Sequence, residues 1–375
     1  MVQLPRAPGW DTCSAVSSVV RDLRTKPIYW LLVFVPAVLV AEHATPESHT
    51  FLFVLSVLAI VPLAALLSTA TESVAAKTGD AVGGLLNATL GNLTELVIAI
   101  AALRAGMLDL VKASITGAVV TNSLFMLGGS FLLGGLKHHV QEFNPRNARV
   151  QSGMLLLATV ALVIPSGVSR VESLNAPSFI QPLSLCLAVI LLVTYSLSLV
   201  FSLKTHRDLF ASAAGGEHET PWPIGAALAA LAAATVCIAL VSEIFVGAVQ
   251  EASKAFGMSR AFVGFIVVSL VGAAAEIMAA FSGARKNRLD LSVGIAMGSS
   301  SQIALFVAPV LLILSRFVSP SPMDFNFGGG QVLMVLLTTL TVSLVVAGGH
   351  SAWYSGVQLL AVYAAFAVTL YLIPG

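Results

Sequence analysis

GNLTELVIAIAAL, residues 91–103, is apolar enough to lie in a bilayer, yet it carries Glu95 with no Lys or Arg within eight residues on either side. An ionisable group in hydrocarbon is costly, so such residues face a bundle interior and mark ion or substrate paths. The rest of the chain fits this reading. Of its 375 residues, 57% are hydrophobic and only 10% charged, with a mean hydropathy of +0.93. Soluble domains carry roughly 25% charged residues. So little polar surface cannot face water over most of its area, which predicts an all-α polytopic membrane protein.

A net charge of +1 gives no reason to expect nucleic acid or any strongly charged partner. Cys13, Cys186 and Cys237 are scattered and odd in number, and specify neither a disulfide framework nor a metal knuckle. No cleavable signal is visible, and residues 1–26 read as a short cytoplasmic tail.

A span needs about 20 apolar residues. That ruler predicts about eleven helices, near 27–41, 51–71, 80–103, 110–135, 150–168, 179–203, 222–248, 258–283, 289–315, 330–348 and 352–373. The longer ones imply tilt or a break at Gly or Pro. With the N-terminus inside, only Arg104, Lys112, Arg170, Lys254, Arg260 and Arg316 of the 19 Lys and Arg fall outside. Positive charge gathers on the cytoplasmic side. The N-terminus is therefore expected in the cytoplasm and the C-terminus outside.

Residues 82–125 overlie residues 263–306 at a constant offset of 181. Glu95 falls on Glu276, Gly91 on Gly272, Arg104 on Arg285, Asp109 on Asp290, Gly117 on Gly298 and Phe125 on Phe306. Chance matching of apolar helices yields Leu and Ala coincidences, seldom Glu, Arg and Asp in one ungapped register. Setting the first helix aside leaves two units of five spans. An odd count forces them to enter from opposite faces, the inverted repeats of secondary transporters, whose sites lie near the midplane. The expected division is a tail (1–26), a peripheral first helix and loop (27–50), a first repeat (51–203), a cytoplasmic linker (204–221) and a second repeat (222–375).

Asn87, Gly91 and Glu95 are spaced four apart, which places them on one face of a continuous helix, with Asn92 alongside. Two buried carboxylates converging by pseudo-symmetry are tolerable only when protons or a cation neutralise them. A hard divalent cation suits the oxygens available. Calcium takes about 6–8 oxygen ligands, mixing carboxylates with carbonyls and amides. Glu95 and Glu276 would balance its charge, with Asn87, Asn92, Asn122, Gln302, Thr121, Ser299–Ser301 and backbone near Gly91 and Gly272 as neutral ligands. Without thiolate or histidine beside them, zinc and copper fit poorly. Glu72 in STATES and Glu243 in LVSEIFVGA lie nearer the membrane faces, either as a proton path or gate, or as groups solvated at the interface. His138, His139, His206 and His218 fall in cytoplasmic loops and are read as solvated.

GDAVGGLLNATLGNLTELVIAI (79–100) and KNRLDLSVGIAMGSSSQIALFVAP (286–309) resemble the two signature regions of the calcium/proton antiporters, cation exchangers of the calcium:cation antiporter superfamily. SEIFVGAV (242–249) is similar to that family's seventh span. The resemblance implies exchange of cytosolic calcium for protons by alternating access, without ATP hydrolysis. It carries the family's central acidic pair onto Glu95 and Glu276, its amide ligands onto Asn92, Asn122 and Gln302, and its peripheral glutamates onto Glu72 and Glu243. Three positions depart from the pattern: Ala273 replaces the Asn beside Glu276, Ser269 stands where Pro is frequent, and Ala118 where Ser is. One amide fewer favours either weaker calcium binding or a different cation.

The expected function is therefore Ca2+/H+ antiport at a paired-glutamate site in a bacterial inner membrane, with no enzyme activity and no cofactor beyond the transported ions. Expected partners are Ca2+, H+ and the lipid bilayer, with no nucleic acid; a homo-oligomer is left open. The alternative is exchange of Na+, K+ or Mn2+ for H+ or Ca2+, with a passive cation channel more distant.

Overall fold

The computed structural model describes residues 21–78, 80–169, 177–206 and 221–373. The first twenty residues of the tail with Cys13, Arg170, and positions 207–220 of the linker with His218 lie outside the described residues. Within a bilayer every backbone N–H and C=O must be satisfied inside the chain, which selects helices. Among the described residues ten helices are long and apolar enough to cross a membrane, and one pair bent by 60° makes an eleventh span. In chain order they are α1 (Pro27–Ala44), α2 (His49–Lys77), α3 (Asp80–Leu90 with Leu93–Arg104) and α4 (Leu108–His138). Next come α5 (Pro145–Val168), α6 (Ser178–Thr205) and α7 (Ile224–Ala255). The bent α8 (Arg260–Gly272 with Ala274–Arg285), α9 (Leu289–Val318), α10 (Gly329–Val346) and α11 (Trp353–Leu372) complete the set.

Large apolar side chains stand outward all round the bundle; Leu197 is 64% exposed and Leu344 79%. That surface suits lipid, and the polar side chains turn inward instead, as buried Thr159 on α5 does with Thr339 on α10, Oγ1 to Oγ1 at 2.8 Å. The long helices α2 and α7 pack along each other, with Phe53 and Phe245 stacked 5.2 Å apart. α1 lies outside this pair, against α2. Two connections are folded into the protein. A short strand, β1 (Val140–Glu142), pairs antiparallel with β2 (His350–Ala352). The α9–α10 loop buries Met323, Phe325 and Phe327 and is tied to α4 by Lys112, whose ammonium lies 2.6 Å from Asp324.

The two repeats also share their turns. After α3 the chain reverses at Gly106 (φ +71°), and after α8 at Asn287 (φ +60°), 181 residues later. Gly visits this left-handed region freely and Asn is the residue that tolerates it next best. In both turns the same pair of bonds closes the helix: Met107 N–H to Ala102 O and Gly106 N–H to Leu103 O, then Arg288 N–H to Gly283 O and Asn287 N–H to Ala284 O. This is the Schellman closure, repeated in register.

Candidate functional site

The site is built at two helix breaks. In α3 the helix interrupts at Gly91–Asn92, with Asn92 at φ −100°, ψ 25°. In α8 it interrupts at Ala273, at φ −83°, ψ 6°. Each break starts a new half-helix whose first turn holds a glutamate, Glu95 or Glu276. A helix N-terminus carries partial positive charge, so a carboxylate is better tolerated there than mid-helix. The break also corrects the expectation that Asn87, Gly91 and Glu95 share one continuous face. Asn87 and Gly91 line one cavity, whereas Glu95 stands on the other side of the interruption.

That cavity, about 760 Å3, is entered between the ends of α2, α3, α5, α6 and α9. Glu276, Ser299 and Gln302 lie in its wall, with Asn87 and Gly91, and Glu72 lines it too. Ser68 Oγ donates to Glu72 at 3.1 Å. Glu95 instead borders a separate pocket of about 10 Å3, beside Ser114, Ala118, Val268 and Ser269. That is room for about one water-sized sphere. Glu95 rests on the backbone of α8. A Cβ at Gly272 would lie 3.0 Å from its Cγ and 3.2 Å from its Oε1, a contact that the carboxylate could meet only by shifting.

Neutral oxygens converge on the same region through two π-helical segments, Thr121–Met126 in α4 and Ile303–Val307 in α9. Such single-turn widenings are frequent at functional sites. Asn122 lies in the first, and Gln302 immediately precedes the second. Asn92 Nδ2 donates to Gln302 Oε1 at 2.7 Å, a bond between the repeats. The repeat equivalents of Gln302 and Asn92 are Thr121 and Ala273, so the second repeat has no matching amide pair. Thr121 Oγ1 instead meets Tyr363 OH at 3.3 Å.

Four side chains of this centre keep buried atoms without a hydrogen-bond partner: Glu95 Oε1, Glu276 Oε2, Asn92 Oδ1, and both amide atoms of Asn122. Unsatisfied buried oxygens are expensive, and ionised ones more so. This set consists of two carboxylates and neutral oxygens. Among the described residues no cluster of three or more His, Cys, Asp or Glu forms. Such an arrangement can hold protons on the carboxylates or one hard cation between them, and it offers no soft ligand.

The remaining expected residues are spread around this centre. Glu243 on α7 pairs with Arg104 at the far end of α3, 3.0 Å apart and with both side chains largely exposed. Gly298 lies in the wall of the large cavity. Sequence reasoning missed Asn147 and Gln151, one helical turn apart near the start of α5, which line this cavity with unpartnered amide oxygens. Their four-residue spacing in an apolar span was the available signal. It also missed Tyr195 on α6, whose hydroxyl donates to Ala88 O at 2.8 Å.

The profile of the sodium/calcium exchanger protein family matches residues 48–204 and 226–372. The chain belongs to that family. Within it, the chain groups with the calcium/proton antiporters. It is 37% identical over 369 residues to the Ca(2+)/H(+) antiporter of Synechocystis, covering 94% of this chain and 98% of that one. It is 39% identical over 331 residues to the Ca(2+)/H(+) antiporter ChaA of Bacillus subtilis, covering 86% and 92%. The solved structure of native YfkE superposes with a TM-score of 0.81 at 35% identity, over 92% of this chain and 100% of that chain. A member of this family is a transporter rather than an enzyme, and its fold is the inverted repeat described above.

Proposed function

We propose that this exchanger carries Ca2+ against H+ by alternating access, with Glu95 and Glu276 as the shared site for both ions. The observation that carries the reading is the placement of both glutamates at half-helix starts, each with a buried oxygen lacking a partner. Such a pair is stable in a bilayer only when filled, either by protons or by a divalent cation. Obligatory filling is what couples the two fluxes. Asn92, Asn122, Gln302 and Ser299 supply neutral oxygens, and Asn87 with the carbonyls near Gly91 and Gly272 extends the set.

The mouth of the 760 Å3 cavity lies at the start of α5 and α9 and the end of α6, the membrane face given the greater share of Lys and Arg. That face is taken as cytoplasmic, so this conformation is open to the inside. Calcium entering past Glu72 would meet Glu276 first and displace its proton, and binding would be completed when Glu95 is engaged. On the far side the Arg104–Glu243 pair spans the closed end. Protons returning from outside would then reset the carboxylates. Acidifying the inner side strengthens protons against calcium at the shared oxygens, so inward calcium affinity falls as that pH falls.

In everted membrane vesicles, calcium addition should dissipate an imposed proton gradient while 45Ca2+ accumulates, and Glu95→Gln or Glu276→Gln should abolish both. Normal exchange in either variant would reject the assignment. Running Mn2+, Na+ and K+ in the same assay tests selectivity at Ala273. Proton flux driven by one of these and not by calcium would assign the site to that cation.

A further inference from the structure

The two repeats have the same parts, and the first halves of α3 and α8 differ in what they pack against. In the second repeat that half-helix is packed against α4. A Cβ at Gly264 would lie 2.7 Å from Ala113 Cβ and 2.9 Å from Leu110 O, and one at Gly117 would collide with Phe265 and with Ser269 Oγ, at 2.5 Å. In the first repeat the matching half-helix is swung away. Gly83 lies against the backbone of Ala75 on α2, and a Cβ at Gly84 would come 2.5 Å from Leu203 of α6. The surface it has left on α9 lines the cavity at Gly294 and Gly298, the counterparts of Ala113 and Gly117, and a Cβ at Gly298 would meet nothing within 4 Å.

A tyrosine attends each half-helix. Tyr195 on α6 stacks on Phe306, centroids 5.2 Å apart, and Tyr363 on α11 lies against Phe125 at 5.3 Å with its ring tilted by 45°. Phe125 and Phe306 are repeat equivalents, so the rings occupy matching places. Their hydroxyls do not. In the open repeat Tyr195 OH holds the carbonyl of Ala88, the last turn before the break in α3. In the closed repeat Tyr363 OH has no bond to the equivalent Ser269 and rests on Thr121 Oγ1 instead.

We propose that Tyr195 and Tyr363 are opposed latches of the exchange cycle, and that Gly294 and Gly298 of α9 are the seat on which the first half of α3 closes. Resting on the alternating-access reading above, the cycle then runs as an exchange of contacts. Tyr195 releases Ala88, the Gly84–Ala88 face settles on Gly298 as Phe265 and Ser269 now settle on Gly117, and Tyr363 captures the carbonyl of Ser269 as α8 opens. The two latch bonds differ in kind from the resting one. A carbonyl released beside a helix break loses its donor, whereas the threonine hydroxyl turns to a carbonyl of its own helix. Removing the Tyr195 hydroxyl therefore disfavours the state seen here, and removing that of Tyr363 disfavours the opposite one.

The test uses full-length protein in lipid nanodiscs, with Cys13, Cys186 and Cys237 replaced by Ala and a reporter Gly294→Cys, a place where the closed repeat already accommodates Ala113. The rate of modification by a charged maleimide reads exposure of the inner cavity. Tyr195→Phe is expected to label about five-fold more slowly than Tyr363→Phe, the effect of one hydrogen bond, with the unaltered pair at or between them. Equal rates, or the reverse order, would overturn the latches. The reading beneath them is tested separately: if the reporter without either change, assayed at one fixed pH, labels alike with and without saturating calcium, alternating access itself fails, and the latches with it.

Discussion

At the scale of single residues, the site depends on what is missing as much as on what is present. Glu95 fits because Gly272 has no side chain, and the built Cβ distance of 3.0 Å is tighter than ordinary packing. Gly272→Ala should therefore press the carboxylate out of place. The expected result is calcium affinity reduced by about ten-fold or more in proteoliposome uptake, with the protein still folded, on the scale of overpacking at roughly 1–3 kcal/mol. Affinity unchanged by this substitution would mean that the seat does not position Glu95. Asn92 has a different task. Its amide nitrogen is committed to Gln302 at 2.7 Å, which leaves its buried oxygen without a partner and open to the proposed cation. Asn92→Asp keeps the shape, removes that donor and adds charge; tighter proton competition is expected, seen as calcium uptake more strongly inhibited by acid. The paired glutamates were legible in the sequence because Glu matches Glu at a constant offset in an apolar background. Tyr195 was not, since its partner Tyr363 lies at another offset and only the ring contacts with Phe306 and Phe125 relate them.

At the scale of elements, eleven spans were readable from hydropathy because each had to exclude Lys and Asp over about 20 residues. The breaks were not. Gly91 and Gly272 suggested freed backbone, but whether a Gly within a span bends it depends on what packs around it, and Ala273 takes the same broken conformation as Asn92. The π-helical segments were equally silent, since no residue type requires them. Repeat equivalence does make the packing predictable. Gly117 is covered by Phe265 and Ser269 while Gly298 is open. Gly117→Ala should lower the detergent melting temperature by several degrees through overpacking, and Gly298→Ala should leave it nearly unchanged. Equal losses would show that the two positions are packed alike. The exposed Arg104–Glu243 pair should matter little to stability, since such pairs contribute about 0–1 kcal/mol. Arg104→Gln is accordingly expected to melt within about two degrees of the parent.

At the scale of the whole molecule, one sequence repeat in opposite orientations produces two glutamate-bearing helix breaks, and the structure gives them unequal surroundings. The cavity reaches Glu276 from one face while Glu95 sits behind a pocket too small for a hydrated ion. The repeat was recoverable from register, with Glu, Arg and Asp matching at a constant offset. Which half-helix packs on its partner was not, because the repeat pairs Gly117 with Gly298 without showing that only Gly117 is covered. The central claim is that calcium and protons occupy the same two carboxylates. Calcium added to purified protein in weakly buffered detergent solution should release protons in a saturable way, detectable with a pH-sensitive dye. Glu95→Gln and Glu276→Gln should each reduce that release, and the double variant should eliminate it. Calcium binding that persists in the wild type with no proton release, or undiminished release from the double variant, would contradict a shared site.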